Sequence, residues 1–282
     1  MWRFYSPAVL PATAEYMAAD RVVRLNPALI TLLDGRIDAV PVTVLQQEVT
    51  EQVRHLFSRR KVMTFHCDIN FPDYGGFGEP APCSNQAVFT PDFLAGLAAD
   101  IRCQGGYLNL HMLTDRPLER WREYQGVSPA AVCYQLDAVP DPVYHRQLLD
   151  SINEQGSCAS PVIEIFGSDS RPARAPADTF SQVQPFLREL PMLTFQAEAT
   201  AARSSFAAGG LASFAVKEYI AYYQERYNGA IQLQGGVKPG TIRDAAALGA
   251  DFLVCGTAIF RSGTNSPAEM VDRLLWELAA EK

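Results

Sequence analysis

No apolar run in this 282-residue chain approaches 18 residues, so no membrane-spanning helix is expected. The N-terminal stretch MWRFYSPAVLPATAEY has no charged segment followed by an apolar one, so no secretory leader is expected either. Positive charge is scarce. Lysine and arginine total 24 against 31 acidic residues, a net charge of -7, and the basic cluster that stands out is Arg59-Arg60-Lys61. That balance argues against nucleic acid or an anionic membrane as a partner. The six cysteines (67, 83, 103, 133, 158 and 255) form no CxxC pair. In a chain too large to need covalent staples, this points to a reducing cytoplasm with mostly buried thiols. Internal repeats and low-complexity tracts are missing as well.

What is present is the composition of an ordinary globular protein, 48% hydrophobic and 20% charged. A chain of this size buries roughly three quarters of its unfolded surface. Eight short β-rich runs punctuate it: RFYSPAVL, VMTFHCDI, YLNLHML, AAVCYQL, PVIEIF, PMLTFQA, AIQLQGG and DFLVCG. Helical patterns separate most of them. VTVLQQEVTEQVRHLF sets Leu45, Val49, Val53 and Leu56 on one face. Thr90 caps a helix that opens on Pro91, and Ser266 and Glu269 form a capping box around Pro267. Gly249 stops the helix in GTIRDAAALGAD. Alternating strands and helices over a length near the roughly 250 residues such a fold needs predict a single α/β domain over 1–282. The predicted fold is a (β/α)8 TIM barrel with insertions after strands 1 and 2. Those insertions are residues 20–43 and the Gly/Pro-rich loop 71–89, the second either a lid or a passive surface loop. A third loop is expected at 167–179.

Polar residues collect at strand ends. His66 and Asp68 are two apart and face one side of their strand, His111 follows on the next strand in phase with Asn109, and Gln234 ends LQGGV. Two imidazoles and a carboxylate suit a divalent transition metal such as Zn, Fe or Mn. A lone strand histidine is more often a satisfied core residue, and the pattern rather than any one residue points to a site.

The same segments resemble the ribulose-phosphate 3-epimerase family, metal-dependent TIM barrels that invert the carbon next to a ketose carbonyl. SPAVL (6–10) resembles the family's first strand, FHCDINF its His-x-Asp second-strand motif, and HMLTDRP (111–117) its third-strand motif. LQGGVKPGTIRDAAALGADFLVCGTAIF is similar to the family's last two strands and their phosphate turns. The resemblance implies that His66, Asp68 and His111 bind the metal, with Gln234 at the fourth ligand position, and that Asp68 is also an acid/base. It implies that Gly235, Gly236, Gly256 and Thr257 hold the phosphate of a sugar substrate, and that the protein is a homo-oligomer.

Four positions depart from that family. Gln234 stands where its second catalytic aspartate would be, Ala8 replaces a serine, FQAEATAARSSFAAGG replaces a glycine turn, and the fourth strand reads VCYQLDA without histidine. A carboxamide does not exchange protons near neutral pH. Three outcomes stay open at this point. Glu164, Glu198 or Asp137 could supply the second acid. The site could run one-base chemistry, or it could bind a sugar phosphate without turnover.

Overall fold

Period-2 alternation and β-branched content produce the strands, and the alternation decides which side chains enter the barrel. The computed structural model describes residues 15–18, 21–60, 62–75, 84–166, 174–197, 214–263 and 265–279. Their strands are β1 (Glu15–Ala18), β2 (Arg21–Pro27), β3 (Thr64–Asn70), β4 (Tyr107–Leu113), β5 (Ala131–Gln135), β6 (Cys158–Glu164), β7 (Met192–Gln196), β8 (Ala230–Gln234) and β9 (Phe252–Cys255). The helices are α1 (Val42–Arg60), α2 (Pro91–Cys103), α3 (Pro117–Tyr124), α4 (Pro142–Glu154), α5 (Pro176–Val183), α6 (Phe214–Gln224), α7 (Ile242–Ala247), α8 (Thr257–Phe260) and α9 (Pro267–Ala279).

Strands β2 to β9 are all parallel and run in the order β2-β9-β8-β7-β6-β5-β4-β3. Closure falls between β2 and β3. There, β1 occupies the first half of the β2 edge as an antiparallel partner, from Arg21 to Arg24. The second half meets β3 through a parallel bridge between Ala28 and His66, and Thr64 Oγ1 donates to the Leu25 carbonyl at 3.0 Å. The result is a nearly closed eight-stranded TIM barrel.

The expected helix signals are in place. Leu45, Val49, Val53 and Leu56 are buried on α1. Thr90 accepts from Phe93 N at the start of α2, and Ser266 and Glu269 exchange hydrogen bonds before α9. Gly249, at φ 90°, follows α7.

The first strand differs from the expectation. RFYSPAVL and Ala8 lie outside the described residues, and the first barrel strand is Arg21–Pro27, inside the stretch read as a loop. Its polar Arg24 and Asn26 and its Pro27 hid it from a hydrophobicity reading. The link after it shrinks to 28–41. Two further boundaries move. β6 begins at Cys158, before Pro161, and the second half of the 167–179 loop opens α5 at Pro176. Of the five cysteines described as free, Cys67, Cys133, Cys158 and Cys255 are buried and Cys103 is exposed. Among the described residues no helix is long and apolar enough to cross a membrane.

Barrel interiors are usually filled by layers of branched apolar side chains. Here the middle layer is polar. Gln232 Oε1 accepts from Asn26 Nδ2 at 3.0 Å and from Asn109 Nδ2 at 3.4 Å. Gln232 Nε2 donates to Thr194 Oγ1 at 3.1 Å, and Ser160 and Thr194 share a hydroxyl bond of 2.8 Å. Below this layer sit Ala131, Cys158, Met192 and Phe252. Polar side chains inside this barrel are therefore not by themselves marks of a site, because mutual hydrogen bonding compensates their burial.

Candidate metal and phosphate site at the barrel mouth

The C-terminal ends of β3 and β4 bring His66, Asp68 and His111 together. The register pairs Asp68 with His111, so the two side chains project inward from neighbouring strands. His66 Nε2 stands 3.2 Å from Asp68 Oδ1, and His111 Nδ1 stands 2.8 Å from the same oxygen. Both imidazoles are buried, while the Asp68 side chain keeps 13% of its exposure.

Burial opposes ionisation of Asp68, but the two imidazoles beside it outweigh that penalty and hold its carboxyl well below the usual carboxylate range. Burial is also the main cause that lowers the pKa of His111, against the opposing pull of Asp68. At neutral pH the cluster is thus an ionised carboxylate facing a neutral His111.

One ligand atom from each of the three residues lies within 4.8 Å of the others. Ligands at about 2.0–2.2 Å from one ion stand roughly 3.0–3.5 Å apart, and the two His–Asp separations of 3.2 and 2.8 Å approach that spacing. The donor set of two nitrogens and one oxygen is one that zinc, iron or manganese accepts. His66 Nδ1 and His111 Nε2, the outer ring nitrogens, have no hydrogen-bond partner among the described residues.

A chain of amides completes the mouth. Gln135, Gln196 and Gln234 are each the last residue of a strand, and all three are buried. Gln234 Nε2 donates to Gln196 Oε1 at 2.8 Å, and Gln135 Nε2 reaches the same oxygen at 3.5 Å and Tyr74 Oη at 3.0 Å. Gln196 Nε2 donates to Glu164 Oε1 at 3.4 Å. The carbonyl oxygens of Gln135 and Gln234 have no partner among the described residues. The sequence signal for this chain is a glutamine ending each of three strands (CYQ, TFQ, QLQ), of which Gln234 alone sits beside a glycine turn.

Both flanks of the loop after β3 are fastened to this mouth. Asn85 Nδ2 donates to the Asp68 carbonyl and Asn85 Oδ1 accepts from Asn70 N, both at 2.8 Å. Ser84 Oγ donates to the Asn70 carbonyl at 2.8 Å. Asn85 therefore clamps the backbone around Asp68, a role that its place in a Gly/Pro-rich loop did not reveal. Residues 76–83 lie outside the described residues.

The two glycine turns follow adjacent strands, β8 and β9. Gly235 and Gly236 have φ of 91° and 73°, which glycine adopts without a Cβ penalty. Thr241 Oγ1 pins the turn by donating to the Gly236 carbonyl at 2.6 Å. Gly256 precedes α8, and a Cβ there would meet Thr31 Oγ1 at 2.3 Å. Arg261 ties the end of α8 to the link after β2, donating to the carbonyls of Thr31 and Asp34 at 3.2 and 2.6 Å.

Of the three carboxylates that could supply a second acid, Asp137 is exposed and ion-paired with Arg174 at 2.8 Å. Glu198 lies outside the described residues. Glu164 ends β6 within the amide chain.

No protein-family model and no curated protein matches the chain. Solved structures do. A Mycobacterium tuberculosis tryptophan synthase structure matches at 14% identity over 91% of both chains, with a TM-score of 0.59. A 3-hexulose-6-phosphate synthase from Salmonella typhimurium matches at 13% identity over 91% of this chain and 100% of its own, with a TM-score of 0.54. N-(5'-phosphoribosyl)anthranilate isomerase from Pyrococcus furiosus matches at 7% identity, over 91% and 98% of the two chains, with a TM-score of 0.52. At these identities the likeness is one of fold, shared with several enzymes.

Proposed function

We propose that the chain is a metal-assisted isomerase of the ribulose-phosphate 3-epimerase type, which removes a proton from the carbon next to the carbonyl of a phosphorylated ketose. The observation that carries this reading is the convergence of His66, Asp68 and His111 at the C-terminal mouth of the barrel. Barrel enzymes commonly hold phosphate at the loops after their seventh and eighth strands. Here those loops carry Gly235, Gly236, Gly256 and Thr257. The fold is shared with proteins named for a hexulose 6-phosphate and a phosphoribosyl compound, in line with a phosphorylated substrate.

Each residue has a definable task. His66, Asp68 and His111 would hold a divalent transition ion, with the unpartnered Gln234 carbonyl as the neutral donor on the fourth side. Asp68 is the base, and its low pKa keeps it in the ionised form a base needs. The same contacts make it a weak base, so the bound ion's contribution would be positive charge beside the substrate oxygens, acidifying the neighbouring carbon. Backbone N–H groups of the glycine turns would face the phosphate, since Gly235 and Gly236 allow a close backbone approach.

A second reading is favoured by one observation. Three neutral glutamines at strand ends are suited to holding sugar hydroxyls, which fits a barrel that binds a sugar phosphate without turning it over. Metal content and solvent exchange separate the two. The enzyme reading expects about one divalent ion per chain, lost in His66→Ala and His111→Ala. It also expects deuterium from heavy water at the carbon next to the carbonyl of ribulose 5-phosphate, abolished in Asp68→Asn. Tight binding of pentulose and hexulose phosphates with neither metal nor exchange would establish the binding reading instead.

A further inference from the structure

Inversion of a carbon centre needs a proton donor on the face opposite the base, and position 234 carries an amide where that group would be expected. We infer that Glu164 is this second proton-transfer group. The inference rests on the proposed proton abstraction by Asp68.

Three observations place Glu164 in that role. It is in phase with Cys158, Ser160 and Val162 on β6, whose side chains lie inside the barrel, so its own carboxylate projects into the mouth. The strand register pairs Glu164 with Gln196 and Gln196 with Gln234, which sets Glu164 and position 234 at one level of the barrel. In an eight-stranded barrel the fifth and seventh strands are each three strands from the second, roughly 135° around the ring. A carboxylate on β6 therefore has the same angular separation from Asp68 on β3 as one on β8 would have.

The amide chain agrees with this placement. A carboxylate accepts hydrogen bonds and donates none, so Glu164 turns Gln196 Nε2 towards itself. Gln196 Oε1 must then face the other two amides, and it accepts from Gln234 and Gln135. One negative charge at Glu164 thus orients all three glutamines. The charge missing at position 234 is found two amide links away, on the other side of β7.

The step balances within the site. Asp68 takes the proton from the carbon next to the carbonyl, and the C–H electron pair becomes the carbon–carbon double bond of an enediolate. Glu164, having taken a proton from water, returns it to the opposite face of the same carbon as the carbonyl re-forms, and its other oxygen still accepts from Gln196 Nε2. Asp68 ends protonated and Glu164 ionised, and exchange with water resets both.

The test is proton NMR in heavy water on the metal-loaded protein with ribulose 5-phosphate and xylulose 5-phosphate, which differ only at that carbon. Wild type should interconvert them with deuterium incorporation. Glu164→Gln should lose interconversion by at least about 100-fold, the usual scale for a general acid or base. It should still exchange the proton of the one epimer that faces Asp68. Adding Gln234→Asp to Glu164→Gln should restore interconversion. Should Glu164→Gln not fold, Glu164→Asp carries the same test, with interconversion falling much more than exchange. Equal loss of both in Glu164→Asp would overturn the assignment. So would interconversion by Glu164→Gln at the wild-type rate, or exchange without inversion in wild type, and either result would leave the role of Asp68 intact. Wild type that exchanges neither sugar would overturn the proposed function itself, and this assignment with it.

Discussion

Replacing Asp68 by asparagine in the metal-free protein sets two electrostatic effects against each other. Burial is the largest single influence on this carboxylate and opposes its charge, so removing the charge relieves a penalty. Against that, the substitution removes an ionised acceptor that two imidazoles approach at 3.2 and 2.8 Å. Hydrogen bonds to a charged group contribute about 1.5–3 kcal/mol each. The imidazoles together prevail, because the carboxyl pKa lies below its ordinary value. Asp68→Asn should therefore destabilise the chain by about 3 kcal/mol at pH 7. The sign with pH follows from the depressed pKa. The stabilisation is fully present above the unfolded-state value near 3.9 and is lost as pH falls below it. Urea unfolding of wild type and Asp68→Asn in the presence of a chelator, at pH 7 and at pH 3.5, measures the difference directly. The gap should be full at pH 7 and begin to close at the lower pH. A variant as stable as wild type at pH 7 would refute the reasoning and show that desolvation, not the imidazoles, controls this site.

Other regions give independent tests. Gln232→Leu removes the partner of Asn26, Asn109 and Thr194 in the polar layer, and should cost about 2–4 kcal/mol in denaturant unfolding through stranded buried groups. Gly256→Ala would drive a methyl against Thr31 Oγ1. A loss of about 1–3 kcal/mol is expected, recovered in large part by Thr31→Ala if that contact is the cause. Gly235→Ala, at φ 91°, should cost about 1–2 kcal/mol of backbone strain and raise KM for a phosphorylated ketose more than it lowers kcat. His145 is buried, with Nε2 2.7 Å from Tyr134 Oη, and burial pulls its pKa down to about 4. Its contribution is intact above the unfolded pKa near 6.5 and lost as pH falls towards 4, roughly 3 kcal/mol in all. Unfolding curves at pH 7.5 and 4.5 should show wild type losing that much more stability than His145→Gln.

Much of the barrel was legible because strand alternation and helix capping are local. The i,i+2 spacing of His66 and Asp68 fixed their common face, and Thr90 and Ser266 marked helix starts, without reference to the rest of the chain. The first barrel strand was not legible. Arg24 and Asn26 point into a polar interior, so a reading that expects apolar interior positions passes over Arg21–Pro27.

The glutamine chain shows the same limit at the site. Each of Gln135, Gln196 and Gln234 reads in sequence as a polar strand end, and neither their linkage nor its end at Glu164 is written locally. Asn26 meets Gln232 across 206 positions, and Gln196 meets Gln135 across 61 and Gln234 across 38. The sequence by itself determined the alternation of strands and helices, the inward-facing His66–Asp68 pair and the two glycine turns. Only the tertiary structure decided which polar residues satisfy one another in the barrel wall and which side-chain carbonyls are left without a partner among the described residues. The physical reason is that periodicity sets the side of a strand on which a residue lies, whereas closure and register of the barrel set which residues it meets there.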